Sequence, residues 1–205
     1  APYLDVHRVL EAVYVAAHDL YGITFEPRPD LVGHTPDADV YEVRDADGSP
    51  IGLFCMDFWA RPTKQGGAWM TSLVNETTVF KSLPVVTNNC NYTPATTTIT
   101  WDGVHTMFHE FGHALHGLFA TTKYPSLSGT STPRDFVEFP SQFNEHWALD
   151  PKVFANYAKH YKTGEAMPQA LLDKVLAART FNSGFATVEF TSSALVDMAF
   201  HTRGP

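Results

Sequence analysis

A helical stretch from Thr100 to about Thr122 limits the folding of this chain more than any other part of its sequence. Its apolar residues recur at a spacing of three to four, which predicts an amphipathic helix packed on a core. Thr100 is suited to cap this helix, and Asp102 lies in its first turn, where an acidic side chain is favourable. The apolar stripe contains His109-Glu110-Phe111-Gly112-His113. Because imidazoles and a carboxylate are costly to bury alone, this pattern favours a bound partner.

The spacing of the two histidines suits the binding of one metal ion. Residues four apart on a helix lie about 40° apart around the axis and one turn apart along it, so both imidazoles can reach the same ion. Glu110 is about 100° round from His109, beside such an ion, where it can take a proton from a bound water. We interpret His109 and His113 as zinc ligands and Glu110 as a general base. The alternative interpretation is a pair of packed core histidines.

A catalytic zinc needs a third protein ligand and leaves its fourth position to water. The extended motif with a histidine at position 119 does not apply, because that residue is Phe119. Glu138 is the candidate, since a lone carboxylate among aromatic and apolar neighbours needs a cation. We expect it on a helix from Thr132 to about Trp147 that folds back antiparallel to the first. Asp135 and Gln142 share its face and are candidates to hydrogen-bond the ligands.

Other ionisable residues near the motif have weaker claims as ligands. His116 lies on the same stripe but about 10 Å along the axis from His109, which predicts a supporting or core role. Glu145 stays an alternative ligand, although a carboxylate in a helix salt bridge is the commoner case. His105 and His146 are expected to be surface or hydrogen-bonded histidines.

The N-terminal third of the chain predicts one helix followed by a small sheet. Apolar spacing from Leu4 to Tyr21 indicates a helix that stops at Gly22. Two runs, Val40 to Val43 and Ile51 to Met56, flank a turn-rich segment and predict a β-hairpin. A short third strand is expected at 83–87, whereas 88–98 is polar and typical of turns.

The C-terminal half predicts only helices after the motif. Three are expected beyond the helix that carries Glu138: Asp150 to Tyr161, about Gln169 to Phe181, and from Gly184 to about Thr202. The fold class is therefore mainly α with a small sheet, an α+β fold. We predict one catalytic-region unit over residues 1–205, with the sheet at about 40–90 and the helical metal-binding part at about 100–205.

Composition excludes several classes of function. A net charge of −8, without any cluster of basic residues, gives no electrostatic basis for binding nucleic acid. No run approaches the roughly 18 apolar residues of a membrane span, and the first residues do not resemble a signal peptide. Cys55 and Cys90 are too few for a disulfide framework and predict reduced thiols in a cytoplasmic protein. No serine or cysteine has a base at motif spacing, so no acyl-enzyme is expected.

Several segments resemble the thimet oligopeptidase family of zinc metallopeptidases, which have a zincin-like catalytic region. The similar segments are Phe108 to His116, Leu127 to Thr130, Asp135 to Trp147, Gly52 to Trp69 and Leu195 to Met198. Within the family, the bacterial peptidyl-dipeptidases are the most similar. The resemblance implies that His109, His113 and Glu138 bind one zinc per chain. It also implies that Glu110 acts as general base and acid.

The resemblance further implies the release of dipeptides from the C-termini of short peptides in the bacterial cytoplasm. Family members are longer, with an N-terminal helical region and a C-terminal segment whose histidine and tyrosine steady the oxyanion. We therefore expect this chain to be a fragment with a complete metal site and weak activity. The rival hypothesis is a weakly active or inactive zinc- or peptide-binding fragment, although a retained Glu110 argues against a purely structural site. The third hypothesis is a metal-free helical scaffold.

Overall fold

A computed structural model describes residues 2 to 204 of the chain. These residues contain six α-helices and one five-stranded sheet, so the α+β class is confirmed. They form two compact units, one within the first 166 residues and one from Met167 onward. The organisation of the chain as one catalytic region stays a prediction.

The first unit contains four helices and all five strands. Its helices are α1 (Val6–Tyr21), α2 (Trp101–Leu118), α3 (Phe139–Asn144) and α4 (Pro151–Tyr157). Its strands are β1 (Thr24–Pro27), β2 (Asp39–Arg44), β3 (Pro50–Trp59), β4 (Trp69–Val74) and β5 (Val85–Tyr92). Short 3-10 turns occupy Pro125–Leu127 and Glu145–Leu149.

The sheet is mixed, with the strand order β1-β2-β3-β5-β4. The predicted hairpin is confirmed as β2 and β3, and β5 runs parallel to β3. The prediction of turns from residue 88 onward is wrong as far as Tyr92. Asn88 is buried and pairs with Met56 on one side and Met70 on the other, so two neighbouring strands hold this polar segment extended. Strands β1 and β4 were not predicted.

Helix α1 ends at the predicted residue, Tyr21, and begins at Val6, two residues later than expected. The Asp5 carboxylate accepts from the backbone N–H groups of His7 and Arg8, and Gly22 adopts the left-handed conformation (φ 75°) that ends the helix. Helix α2 starts at its predicted cap, where the Thr100 hydroxyl accepts from the N–H of Gly103. It ends at Leu118, earlier than expected. Both helices bury apolar faces in the core.

The predicted continuous helix from Thr132 to Trp147 is wrong. Residues 134–138 form turns, α3 begins only at Phe139, and Glu138 precedes it as the capping residue. The physical reason is Pro140, which has no N–H to donate to the carbonyl of Phe136. That carbonyl accepts from the N–H of Phe139 instead, which tightens the turn before α3.

Helix α4 is shorter than predicted. It ends at Tyr157 because Ala158 and Lys159 leave the helix to pair as β-bridges with Leu4 and Ala166. The Asp150 carboxylate caps its start, accepting from the N–H groups of Lys152 and Val153.

The second unit consists of α5 (Gln169–Ala178) and α6 (Ser183–His201), close to the predicted positions. None of its described residues is buried, and α6 exposes a series of large apolar side chains. Between residues 2 and 204, no helix has the combination of length and hydropathy that a membrane crossing needs.

Candidate active site

Helix α2 and the turn before α3 bring the four predicted site residues together. The Nε2 atom of His109 lies 3.2 Å from Glu138 Oε2, and the Nε2 atom of His113 lies 3.1 Å from the same oxygen. Glu110 lines the same cavity of about 340 Å³ as these three side chains. The sequence therefore identified residues that are far apart in the chain and adjacent in the fold.

The donor atoms of His109, His113 and Glu138 fit a metal ion. One ligand atom from each residue lies within 4.8 Å of the others. Tetrahedral ligands at the usual zinc distances of 2.0–2.1 Å are separated from each other by roughly 3.3 Å. The two measured imidazole-to-carboxylate distances are close to that value. Two imidazoles and one carboxylate are also a donor set that catalytic zinc sites use.

Glu145 orients the first histidine of the cluster. Its Oε1 atom lies 2.6 Å from His109 Nδ1, and its Oε2 atom lies 3.3 Å from His105 Nδ1. A carboxylate only accepts, so the contact places the proton of His109 on Nδ1 and leaves the Nε2 lone pair facing Glu138. Glu145 therefore hydrogen-bonds His109 at the ring nitrogen opposite the one that faces Glu138, and it does not belong to the cluster of His109, His113 and Glu138.

Ser141 holds the carboxylate of Glu138. Its hydroxyl donates to Glu138 Oε2 at 2.8 Å and also contacts the Glu138 carbonyl at 3.0 Å. Partial burial opposes ionisation of Glu138, but this hydrogen bond and the neighbouring imidazoles of His113 and His109 outweigh it and lower the Glu138 pKa. The expectation that Asp135 and Gln142 hydrogen-bond the ligands is wrong, because both are exposed and Ser141 and Glu145 make those contacts.

Glu110 is buried beside the three candidate ligands. Burial, helped by the nearby Glu138 charge, raises the Glu110 pKa to about 7, although His109 and the backbone N–H of Met70 act in the opposite direction. Its Oε2 atom has no hydrogen-bond partner among the described residues. A carboxyl group with a pKa near neutrality can both accept and return a proton, so Glu110 is suited to acid and base work.

Two further histidines of α2, His113 and His116, differ in environment. Burial lowers the pKa of His113, which keeps its imidazole neutral at pH 7, the form that ligates a metal. Burial also lowers the pKa of His116, but His116 lies outside the cluster. It lines a separate apolar cavity of about 570 Å³ with Phe119, Phe136 and other aromatic residues. A role away from the metal was expected for it.

Strand β4 supplies a wall of the site that the sequence analysis missed. Ala68, Trp69 and Met70 line the cavity with the histidines and Glu110. The signal available in the sequence was the β-favouring run from Trp69 to Val74 directly after Gly66-Gly67. A six-residue strand at the sheet edge is a weak pattern, and its partner β5 comes later in the chain.

The chain is similar to known peptidases over nearly all of its length. The model of peptidase family M3 matches residues 1–205. Dipeptidyl carboxypeptidase of Escherichia coli (strain K12) is 51% identical over 205 residues, which cover 98% of this chain and 30% of that protein. Oligopeptidase A of the same strain is 34% identical, and organellar oligopeptidase A of Arabidopsis thaliana is 36% identical. The chain spans about 30% of the length of these relatives.

Proposed function

Because the chain belongs to peptidase family M3, we propose that it is the catalytic region of a zincin-like, zinc-dependent peptidase. The observation that carries the proposal is the convergence of His109, His113 and Glu138, with the buried Glu110 beside them. In this proposal the first three residues hold one zinc ion per chain. Two imidazoles and one carboxylate leave a fourth position for water, which a catalytic site requires.

Glu110 performs the proton transfers of peptide hydrolysis in this proposal. A bound zinc ion would lower the pKa of a water towards 7 and polarise the scissile carbonyl. The Glu110 carboxylate takes the proton of the attacking water and passes it to the leaving amine. Burial raises the Glu110 pKa, which makes this carboxylate a stronger base than an exposed one. Glu145 and Ser141 keep His109 and Glu138 in place.

We propose short peptides as substrates and the release of C-terminal dipeptides as the reaction. The support is the 51% identity to a protein named dipeptidyl carboxypeptidase. A cytoplasmic location is part of the same proposal. Cys55 and Cys90 are free and buried, which is typical of proteins in a reducing compartment.

A second candidate is a zinc- and peptide-binding region that turns over slowly by itself. The chain spans about 30% of the relatives' length, so groups elsewhere in those proteins contribute to their activity in this candidate. Loss of oxyanion stabilisation typically costs a hundred- to a thousand-fold in rate. The two candidates share the metal site and differ only in rate.

Mass spectrometry of peptide products tests the proposal. The zinc-loaded chain is incubated with a pentapeptide that has a free C-terminus and with the same peptide amidated. We expect release of the C-terminal dipeptide from the free peptide only, and a rate at least about 100-fold lower for Glu110→Gln. Equal cleavage of both peptides, or full activity of Glu110→Gln, would contradict the proposed reaction. Zinc binding without any cleavage favours the second candidate.

A further inference from the structure

A buried cluster of charges lies outside the metal site, at the end of β3. The Asp57 carboxylate is completely buried, with Lys64 Nζ 2.9 Å from its Oδ1 atom and Arg61 Nη1 2.8 Å from its Oδ2 atom. His34 Nε2 is 3.3 Å from Oδ2. Burial opposes the ionisation of Asp57, but Lys64 and Arg61 outweigh it and lower its pKa, so the cluster is charged.

Lys64 uses all three of its ammonium protons within the cluster. Besides the Asp57 carboxylate, Nζ donates to the backbone carbonyls of Asp57 at 3.0 Å and Trp59 at 3.2 Å. Its side chain is only 2% exposed. A lysine with these partners fastens residues 60–64 to the C-terminal end of β3. Arg61 adds a second attachment from the same segment to the same carboxylate.

The other end of the segment is fastened to β5. The Asn91 side-chain amide donates to the carbonyls of Gln65 at 2.8 Å and Gly67 at 2.7 Å. Gly67 has a φ of 92°, a conformation that non-glycine residues rarely adopt. We name residues 60–67 the β3–β4 loop. The loop is therefore held by a side chain of β3, Asp57, and by a side chain of β5, Asn91.

The residues that follow the β3–β4 loop form the wall of the candidate active site. Ala68, Trp69 and Met70 line the same cavity as Glu110. A shift of the loop would therefore move the wall beside the proposed base. Displacements near 1 Å at a catalytic group are large enough to lower rates about 100-fold.

We propose that Asp57, Lys64 and Asn91 are positioning residues, which hold Ala68 to Met70 against Glu110 through the β3–β4 loop. That the wall formed by Ala68 to Met70 affects catalysis rests on the proposed function. General energetics support a positioning role, because a buried ion cluster is seldom more stabilising than apolar residues of the same volume. The cluster instead fixes one geometry for a loop that contains two adjacent glycines.

Hydrogen exchange followed by mass spectrometry tests the inference without any need for turnover. Lys64→Met removes the ammonium group and keeps the length of the side chain. Its matched control is Lys152→Met, which removes an exposed ion pair with Asp19. Asn91→Ala is the second variant, because it loosens the loop without leaving a buried charge unpaired. The full chain is used throughout.

We expect exchange in residues 62–74 to be at least about tenfold faster in Lys64→Met and Asn91→Ala than in wild type. Exchange in α2 should change less than about twofold, and so should zinc affinity, because no candidate ligand is touched. The control should match wild type. Uniform acceleration in all segments, as expected of general destabilisation, or unchanged exchange in residues 62–74 would overturn the inference.

Peptide cleavage by the zinc-loaded variants separates the two proposals. If wild type cleaves peptides, we expect kcat to fall about tenfold or more in both loop variants while zinc content stays at wild-type level. A wild-type kcat in both variants, with faster loop exchange, would overturn the positioning role. A wild-type chain that binds zinc and cleaves nothing contradicts the proposed function alone, and the exchange result then decides the loop's attachment.

Discussion

Glu110 and Glu138 are the same side chain in opposite environments. Burial raises the pKa of Glu110 to about 7, whereas the Ser141 hydroxyl and two imidazoles lower the pKa of Glu138 despite its partial burial. Pairs of carboxyl groups whose environments push their pKa values apart commonly divide acid–base work from charge stabilisation. In the proposed function, this difference suits Glu110 to proton transfer and Glu138 to metal binding.

Zinc retention should separate these two roles. We expect Glu110→Gln to keep zinc affinity within about threefold of wild type, because Glu110 is not among the candidate ligands. In Glu138→Ala, zinc affinity should fall on the order of 100-fold or more, since one of the three protein ligands is removed. Competition with a chelating indicator dye measures both. Gln142→Ala is the control on α3, and a Glu110→Gln variant that loses zinc as severely as Glu138→Ala would disprove the assignment.

The two thiols should be unreactive in the native chain. Burial raises the pKa of Cys55 and raises that of Cys90 to about 12, so almost no thiolate is present at pH 7.5. We expect iodoacetamide to label neither residue within an hour under native conditions and both residues in urea. Mass spectrometry counts the labels. Rapid labelling of Cys90 in the native chain would show that this part of the core opens readily.

At the scale of elements, the site depends on how closely α3 approaches α2. A Cβ atom on Gly112 would lie 2.6 Å from Ser141 Cα and 2.8 Å from the Pro140 carbonyl oxygen. Only glycine leaves room for this approach, and the approach brings Ser141 and Glu138 to the histidines. The Asn144 amide adds a hydrogen bond to the carbonyl of Phe108, 2.6 Å long.

Gly112→Ala should damage both stability and the site. Alanine is favoured over glycine within a helix by about 0.5–1 kcal/mol, but a backbone clash of this kind typically costs 1–3 kcal/mol. We therefore expect a net loss of about 1–2 kcal/mol in unfolding free energy and a zinc affinity about tenfold lower, measured by urea unfolding and chelator competition. Gly184→Ala is the control, because nothing lies within 4 Å of its added Cβ. Wild-type zinc affinity in Gly112→Ala would contradict the packing argument.

The elements differ in how well the sequence predicts them, and the reasons are physical. Helix α2 was predicted because its cap and apolar stripe are local signals over 18 residues. The spacing of His109 and His113 within α2 is also a local signal, so these two candidate ligands could be predicted from the sequence. The break at Pro140 was missed, because the expected helix from Thr132 to Trp147 takes no account of the N–H that this proline lacks. Strands β1 and β4 lie at the sheet edges, where burial leaves little pattern in the sequence.

At the scale of the whole molecule, the two units differ in how they are stabilised. Among residues 2 to 204, all of the buried residues lie in the unit within the first 166 residues, including the aromatic core around Phe54, Phe108 and Phe111. In the unit from Met167 onward, the described side chains are intermediate or exposed. Large apolar residues of α6 such as Phe190 are 79% exposed. The local apolar pattern predicted these helices, but no signal in the sequence indicated that none of their described side chains is buried.

Alanine substitutions should show this difference directly. We expect Phe108→Ala to lower the free energy of unfolding by about 3–5 kcal/mol, because it removes a completely buried ring. Phe190→Ala, which removes the same ring from an exposed position, should change it by less than about 0.5 kcal/mol. Urea unfolding followed by tryptophan fluorescence measures both variants. A loss above 2 kcal/mol for Phe190→Ala would mean that its ring is packed in solution.

In the proposed function, His109, His113 and Glu138 together form one zinc site. Metal analysis of the purified chain tests it most directly, after saturation with zinc and removal of unbound metal by desalting. We predict one equivalent of zinc per chain, and less than about 0.1 equivalent in a His109→Ala/His113→Ala double variant that remains folded by circular dichroism. A wild-type content below about half an equivalent, or an unchanged content in the double variant, would contradict the site.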